Sequence, residues 1–185
     1  MEKHRKVVIW VLACILALLI AGLAVIKTGV LIPFLAHGEN VYFLVSVERG
    51  ESKTQPAPRP TKRFQTLENR IPELMQALIA GPTDEEKSAG FFTNVPPDAR
   101  LLNCRIEGDV AFLDFSPEIE EGGGITMMQE RLAQIVFTAT QFPAISKVRI
   151  MIDGKFIPYF SSEGITDVDH PIGREDFAQF SGGVS

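Results

Sequence analysis

The chain has 185 residues, enough for one globular domain with attachments or two very small ones. Its averages are ordinary, 45% hydrophobic, 22% charged and a net charge of −5, but they conceal two unlike parts. Residues 1–27 carry Lys3, Arg5, Lys6 and Lys27 against Glu2, a net of +3, which leaves 14 basic and 22 acidic side chains beyond them, a net of −8. A portion that acidic excludes nucleic acid as a partner, because neutralising phosphates takes clustered Lys and Arg.

Residues 7–26 contain no charged or strongly polar side chain. As a helix such a run rises about 30 Å, the thickness of one bilayer core, and predicts a transmembrane anchor. The basic residues of the 1–6 segment favour a cytoplasmic N-terminus and place everything after Lys27 outside the membrane. A cleaved secretory signal would have a shorter core, typically about 7–15 residues. Val11-Leu12-Ala13-Cys14 fits a lipobox loosely, yet twelve more apolar residues follow Cys14, so a lipid-modified Cys14 is the weaker reading. With Cys14 in the bilayer and Cys104 beyond it, no intrachain disulfide is expected.

After a spacer over 27–39, the run Asn40-Val41-Tyr42-Phe43-Leu44-Val45-Ser46-Val47 is rich in β-branched and aromatic residues and apolar on both faces, which predicts a central strand. Residues 51–63 are polar and basic with Pro56, Pro58 and Pro60; they read as an exposed loop or partly extended polyproline segment, favoured over a polyproline ligand. Leu67, Ile71, Leu74 and Leu78 recur at helical spacing, Pro72 is tolerable in a first turn, and Gly81-Pro82 supplies the stop, with Gly81 expected in the left-handed region. An irregular stretch over 83–97 precedes two short alternating runs, 102–107 and 110–115, around Gly108-Asp109, a hairpin pattern. Residues 118–124 are an acidic, Gly-rich connection. Ile125, Met128, Leu132, Ile135, Ala139 and Phe142 then mark a second, longer helix ended by Pro143, with Thr138 and Thr140 beside its apolar stripe and facing outward. A strand over 147–152 turns at Asp153-Gly154 into Lys155-Phe156-Ile157. The remainder from Ser161 is polar, with a short ordered piece around 165–171 and a flexible tail over 177–185. This order predicts an α+β domain over 40–176, a two-layer mixed β-sheet with two amphipathic helices on one face, preceded by one transmembrane helix.

Few groups could do chemistry. Asp114, Ser116, Asp153 and His170 are the candidate catalytic parts, but Ser116 is followed by Pro117 and lies in no nucleophile elbow. Zinc would need more than the scattered His37, Cys104 and His170. Asp167, Asp169, Glu118, Glu120 and Glu121 lack the spacing of a calcium loop and read as solvated acids. Gly122-Gly123-Gly124 precedes a helix, yet the acids upstream would repel phosphate and no Gly-Lys-Ser/Thr follows. The expectation is a protein that is not an enzyme and holds no cofactor or metal.

Residues 74–90, ending Gly81-Pro82-Thr83-Asp84-Glu85-Glu86-Lys87-Ser88-Ala89-Gly90 and followed by Thr93-Asn94-Val95-Pro96, resemble the opening signature of the GerMN domain, the sporulation and spore germination domain. Val110-Ala111-Phe112-Leu113-Asp114-Phe115-Ser116 is similar to that family's strand end. The run 134–143, with Gln134, Thr138, Phe142 and Pro143, is similar to its second helix, and 148–154, ending Asp153-Gly154, to its last main strand. Asp167-Val168-Asp169-His170-Pro171-Ile172-Gly173-Arg174 resembles its closing segment. Here the segment between first strand and first helix is longer and richer in proline than the family pattern. The resemblance implies a fold similar to the ring-building modules of sporulation channels, and a role in envelope assembly through docking to other envelope proteins or self-association. Sheet edges and the 83–97 loop are the surfaces expected to serve it. The alternative is an extracytoplasmic ligand-binding or sensor module for cell-wall fragments or small germinants.

Overall fold

The protein is described here by a computed structural model covering residues 38–47, 50–60, 65–161 and 166–182. The apolar run 7–26, Cys14 and His37 lie outside the described residues, as do the end of the chain from 183 and all but Gly38 and Glu39 of the spacer. Among the described residues no helix is long and apolar enough to cross a membrane.

Strand β1 (Glu39–Ser46) forms an antiparallel hairpin with β2 (Ser52–Arg59), in register from Glu39↔Arg59 to Ser46↔Ser52. The segment expected to be an exposed proline-rich loop is therefore a strand. The physical reason is spacing. Val47 N–H donates to the Glu51 carbonyl at 2.8 Å, so odd-numbered residues of β2 send their peptide groups to β1 and even-numbered ones face away. Pro56 and Pro58 both occupy outward positions, where a missing N–H costs no ladder bond.

On its other side β1 pairs with β3 (Phe91–Phe92), so it is central, but within a three-stranded sheet of its own in the order β2-β1-β3. The single sheet expected from the sequence is thus divided. The larger sheet has β4 (Leu101–Glu107) and β5 (Val110–Phe115) as the anticipated hairpin, with β6 (Lys147–Ile152) parallel to β5 and β10 (Ile172–Gly173) antiparallel at the far edge. Strand β7 (Lys155–Phe156) turns back onto β6, and β8 (Tyr159–Phe160) pairs with β9 (Thr166–Asp167) as a separate ribbon. The architecture is mixed α+β with several sheets and few helices.

Helix α1 (Leu67–Ala80) buries Ile71, Leu74, Met75 and Leu78, a stripe whose members each contribute about 1.5–3 kcal/mol on burial. Pro72 lies in the second turn rather than the first, where the carbonyl it leaves free belongs to exposed Glu68. The helix ends at Gly81 with φ 81° and ψ 179°. This is not the left-handed helical region expected but the mirror-extended one, open essentially to glycine alone. The 83–97 stretch is less irregular than its sequence suggested, since it contains α2 (Asp84–Ser88) as well as β3.

Helix α3 (Ile125–Ala139) supplies the crossover that parallel β5 and β6 require. Every residue from Glu130 to Ala139 is buried, so α3 is enclosed rather than laid with one stripe on a sheet. It touches β1 and β2 of the smaller sheet, β6 of the larger, α1, and a 3-10 turn over Arg174–Phe180. Phe177 and Phe180 of that turn are core residues inside the segment expected to be a flexible tail. Thr54 Oγ1 donates to the Phe180 carbonyl at 2.8 Å, and Gly182 passes so near β2 that a Cβ there would lie 2.5 Å from the Thr54 carbonyl oxygen. Packing past residue 176 follows from these contacts.

Candidate functional site

The residues that carry the family resemblance converge on α3 and its neighbours, where their polar groups serve the backbone. Asn40 and Tyr42 turn their peptide groups to the edge of β1 beyond the end of the short β3. The Gln141 side-chain amide meets Asn40 in both directions: its oxygen accepts from Asn40 N–H and its nitrogen donates to the Asn40 carbonyl, each at 2.7 Å. Thr138 Oγ1 accepts from Tyr42 N–H at 3.1 Å, and Gln134 Nε2 donates to the Tyr42 carbonyl at 3.3 Å. Gln134 Oε1 also accepts from Asn94 N–H at 3.0 Å. Gln134 and Thr138 lie one turn apart on one face of α3, and Gln141 follows in the turn after it, since the helix ends at Ala139 rather than running to Pro143 as expected; the three side chains act as the missing strand along that edge. Thr138, expected to point outward, is fully buried because this edge needs it.

One turn earlier, Arg131 is 2% exposed. Its guanidinium donates to the carbonyls of Asn94 at 2.7 Å, Ile119 at 2.6 Å, Glu121 at 3.0 Å and Gly122 at 3.1 Å. One cation thus ties the loop before β4 to the 3-10 turn at Pro117–Glu120 and the acidic connection after it. Burial lowers its pKa to about 10, partly opposed by Glu120. Beside it Glu130, also buried, accepts from Asn94 Nδ2 at 2.5 Å.

The parts considered for catalysis have structural work. Asp114 is buried at the end of β5 and accepts from Gly154 N–H through both oxygens, at 2.9 and 3.0 Å. That bond holds the β6–β7 turn, in which Asp153 and Gly154 have φ of 47° and 74°, a type I′ geometry. Ser116 accepts from Arg100 N–H at 3.0 Å while its own N–H bonds the Arg100 carbonyl at 2.9 Å. Its hydroxyl also bonds Glu118, whose carboxyl it holds below the ordinary range. His170 sits in an exposed group with Asp167 and Asp169, its Nδ1 2.8 Å from Asp169 Oδ1. The imidazole bond is the main cause of the lowered Asp169 pKa. This is the one trio among the described residues with ligand atoms close enough for a metal ion, and Arg149 acts on both of its carboxylates as a neighbouring cation.

The remaining family residues shape turns. Pro82 is buried after Gly81, and Thr83 caps α2 in a capping box with Glu86. Arg59 of β2 grips Glu86 with two bonds of 2.6 and 2.8 Å, so α2 is fixed to the smaller sheet, and the Arg59 bond is the main cause of the lowered Glu86 pKa. Gly90 has φ 91° where α2 hands over to β3. Phe142 is buried under the Arg70 guanidinium, 4.7 Å from its ring centroid, and exposed Pro143 follows.

Sequence reasoning missed Arg131, Glu130 and Gln141. The legible signal was a charged pair, Glu130-Arg131, inside an otherwise apolar helical run. It also left Arg174 unexplained. That side chain donates to the Phe137 carbonyl and to Thr140 Oγ1, both at 2.9 Å, and stacks on Phe137 and Tyr42, closing the C-terminus of α3.

Around β7 the larger sheet carries a group of cations and aromatic rings. Arg105 lies over the Phe112 ring, Phe112 meets Phe156 edge-on, and Arg149 lies over Phe156, with Phe156 and Tyr159 about half exposed.

Comparison with known proteins agrees with this architecture. The Germane family model, described as sporulation and spore germination, matches residues 40–157. The first GerMN domain of the sporulation protein GerM from Bacillus subtilis is 24% identical with a TM-score of 0.60, over 75% of this chain and 98% of that one. The tandem GerMN domains of the same protein align at 22% identity and a TM-score of 0.56, over 74% of this chain and 44% of that one. A Clostridium perfringens protein assigned to the lipoproteins is 26% identical with a TM-score of 0.54, over 77% of this chain and 90% of that one. No curated protein matches. With its helices, its β4–β5 hairpin and its α3 network all inside the matched region, the chain belongs to the Germane family of sporulation and spore germination domains.

Proposed function

We propose that the protein is a non-enzymatic, single-pass membrane protein whose GerMN domain lies outside the cytoplasmic membrane and acts in the assembly of envelope proteins. The observation that carries this reading is where the family residues are spent. Gln134, Thr138, Asp114 and Ser116 give their hydrogen bonds to backbone groups of the same chain, a scaffold whose use lies in what it presents. Residues 7–26 are the anchor of choice, with the positive charges of residues 1–6 inside. The half-exposed Phe156 on β7, the half-exposed Tyr159 on the β8–β9 ribbon, and β4 at the edge of the larger sheet offer contact surfaces to an envelope partner or a second copy. The role in sporulation or germination follows from the family and applies if the organism forms spores.

Chemical crosslinking of the full-length protein in native membranes, followed by pulldown, tests the proposal. Recovery of a defined envelope partner or of self-oligomers is expected. A free monomer at every growth stage, spore formation included, overturns it.

A further inference from the structure

A cleft of about 290 Å³ opens between the β1–β2 turn, the first turn of α3 and the C-terminal 3-10 turn. Glu51, Lys53, Thr126, Glu130, Gln179 and Phe180 line it. Glu130 is 6% exposed, and one carboxylate oxygen accepts from Asn94 Nδ2 at 2.5 Å. The other oxygen takes no donor from the described residues, and none of their Lys, Arg or His side chains pairs with Glu130. The neighbouring Arg131 is spent on four carbonyls, and Lys53 Nζ is held by the Gln179 carbonyl at 2.5 Å and stands 3.8 Å from Glu51. A carboxylate that deep, with one hydrogen bond and no counter-charge among the described residues, leaves a strong acceptor unused at the wall of an open cleft. Two acids against one lysine give the lining a net charge of −1.

We propose that this cleft binds a small molecule through its primary ammonium group, with Glu130 as the acceptor. An ammonium supplies what Glu130 lacks, a charge and N–H donors in one compact group. The Thr126 hydroxyl offers a second acceptor, Phe180 gives the cleft an apolar wall, and the volume stands at the lower end for ligand pockets. A hard metal ion fits less well, because calcium takes six to eight oxygens. Among the described residues the only trio of ligating side chains is Asp167, Asp169 and His170, outside this cleft.

Isothermal titration of the full-length protein in detergent tests the site, with butylammonium as probe and tetramethylammonium, which has no N–H, as the matched control. Butylammonium is expected to bind saturably, and tetramethylammonium at least about tenfold more weakly. Glu130→Gln keeps an oxygen for Asn94 but loses the charge, and is expected to weaken butylammonium by at least about tenfold. Thr126→Trp, at an exposed position, fills the cleft and is expected to abolish binding whether or not the first variant folds. Absent butylammonium binding, equal affinity for tetramethylammonium, or unchanged binding in either folded variant overturns the proposal. Calcium displacing butylammonium from the wild-type protein would overturn it as well.

Discussion

Gln141 and Asn40 are 101 positions apart and exchange two 2.7 Å hydrogen bonds, the side-chain amide of one reading the peptide group of the other as a neighbouring strand would. The relationship explains why β1 needs no long partner on that edge: Gln134 and Thr138 from α3, and Gln141 from the turn after it, complete it. Replacing Gln141 with Leu removes both bonds at a half-buried position and leaves a donor and an acceptor on Asn40 without partners. The expected cost is about 1–3 kcal/mol, read from urea unfolding. Gln134→Leu is expected to cost more, because it strands Tyr42 and Asn94 together from a fully buried site.

Arg131 carries the heaviest structural duty of any charged side chain in α3. Arg131→Met preserves the apolar stem and removes the donors for the carbonyls of Asn94, Ile119, Glu121 and Gly122. A loss of about 2–4 kcal/mol is expected. Arg131→Lys should recover only part of it, since an ammonium cannot span carbonyls that a planar guanidinium reaches together. Wild-type stability of Arg131→Lys would mean that charge, not geometry, is what the loops require.

The Arg59–Glu86 pair makes stability depend on pH in a defined direction. The Arg59 bond holds the Glu86 carboxyl below its ordinary value of 4.5. The folded state therefore binds that proton less readily than the unfolded one. The contribution is fully present above pH 4.5 and is lost as pH falls through the depressed folded value. With both side chains about four-fifths buried, the pair and the Thr83 cap together are expected to be worth about 1 kcal/mol. Glu86→Gln should be less stable than wild type by that amount at pH 7, and the gap should close in acid. A gap independent of pH would remove the ion pair from the account.

Cys104 is expected to be an inert thiol. Burial first, and the charge of Glu68 second, push its pKa up to about 11. The thiolate is the reactive form, so at pH 8 a disulfide reagent should modify Cys104 in the native protein at least about tenfold more slowly than in urea. Equal rates would show that the α1–β4 contact opens readily.

How much of this was legible beforehand depended on whether a feature was local. The α1 stripe, the 102–107/110–115 hairpin and the Gly81-Pro82 stop are set by neighbours in sequence, and each appears where its pattern placed it. The division into two sheets was not visible, because it depends on α3 lying against β1, and no periodicity reports that Gln134, Thr138 and Gln141 would face a strand edge. A helix buried on all sides still shows a three-and-four spacing of its largest apolar residues, so α3 looked amphipathic. Phe177 and Phe180 were hidden for the same kind of reason, two aromatic residues in polar company whose burial comes from β2 and α3. At the site level Gln134, Thr138, Asp114 and Ser116 bond backbone groups of their own chain, whereas Glu130 and Arg131 passed unnoticed within the apolar pattern.

The strand that proline content concealed also makes a prediction. Pro56 and Pro58 place two N–H-free positions on the outer edge of β2, while the Thr54↔Ser181 bridge covers the adjoining part. Edge strands with open donors template pairing with other chains, and proline on the outward side blunts that tendency. Replacing both prolines with Thr creates two outward N–H groups without touching the inward bonds to β1 or the buried Ala57. The unfolding free energy should change by less than about 1 kcal/mol, since surface substitutions away from packing have small effects. The double variant should nevertheless self-associate more than wild type, detected by light scattering across a concentration series. An unchanged oligomeric distribution would mean that something besides proline protects this edge, and the nearby C-terminal segment at Ser181 and Gly182 would then be the part to delete.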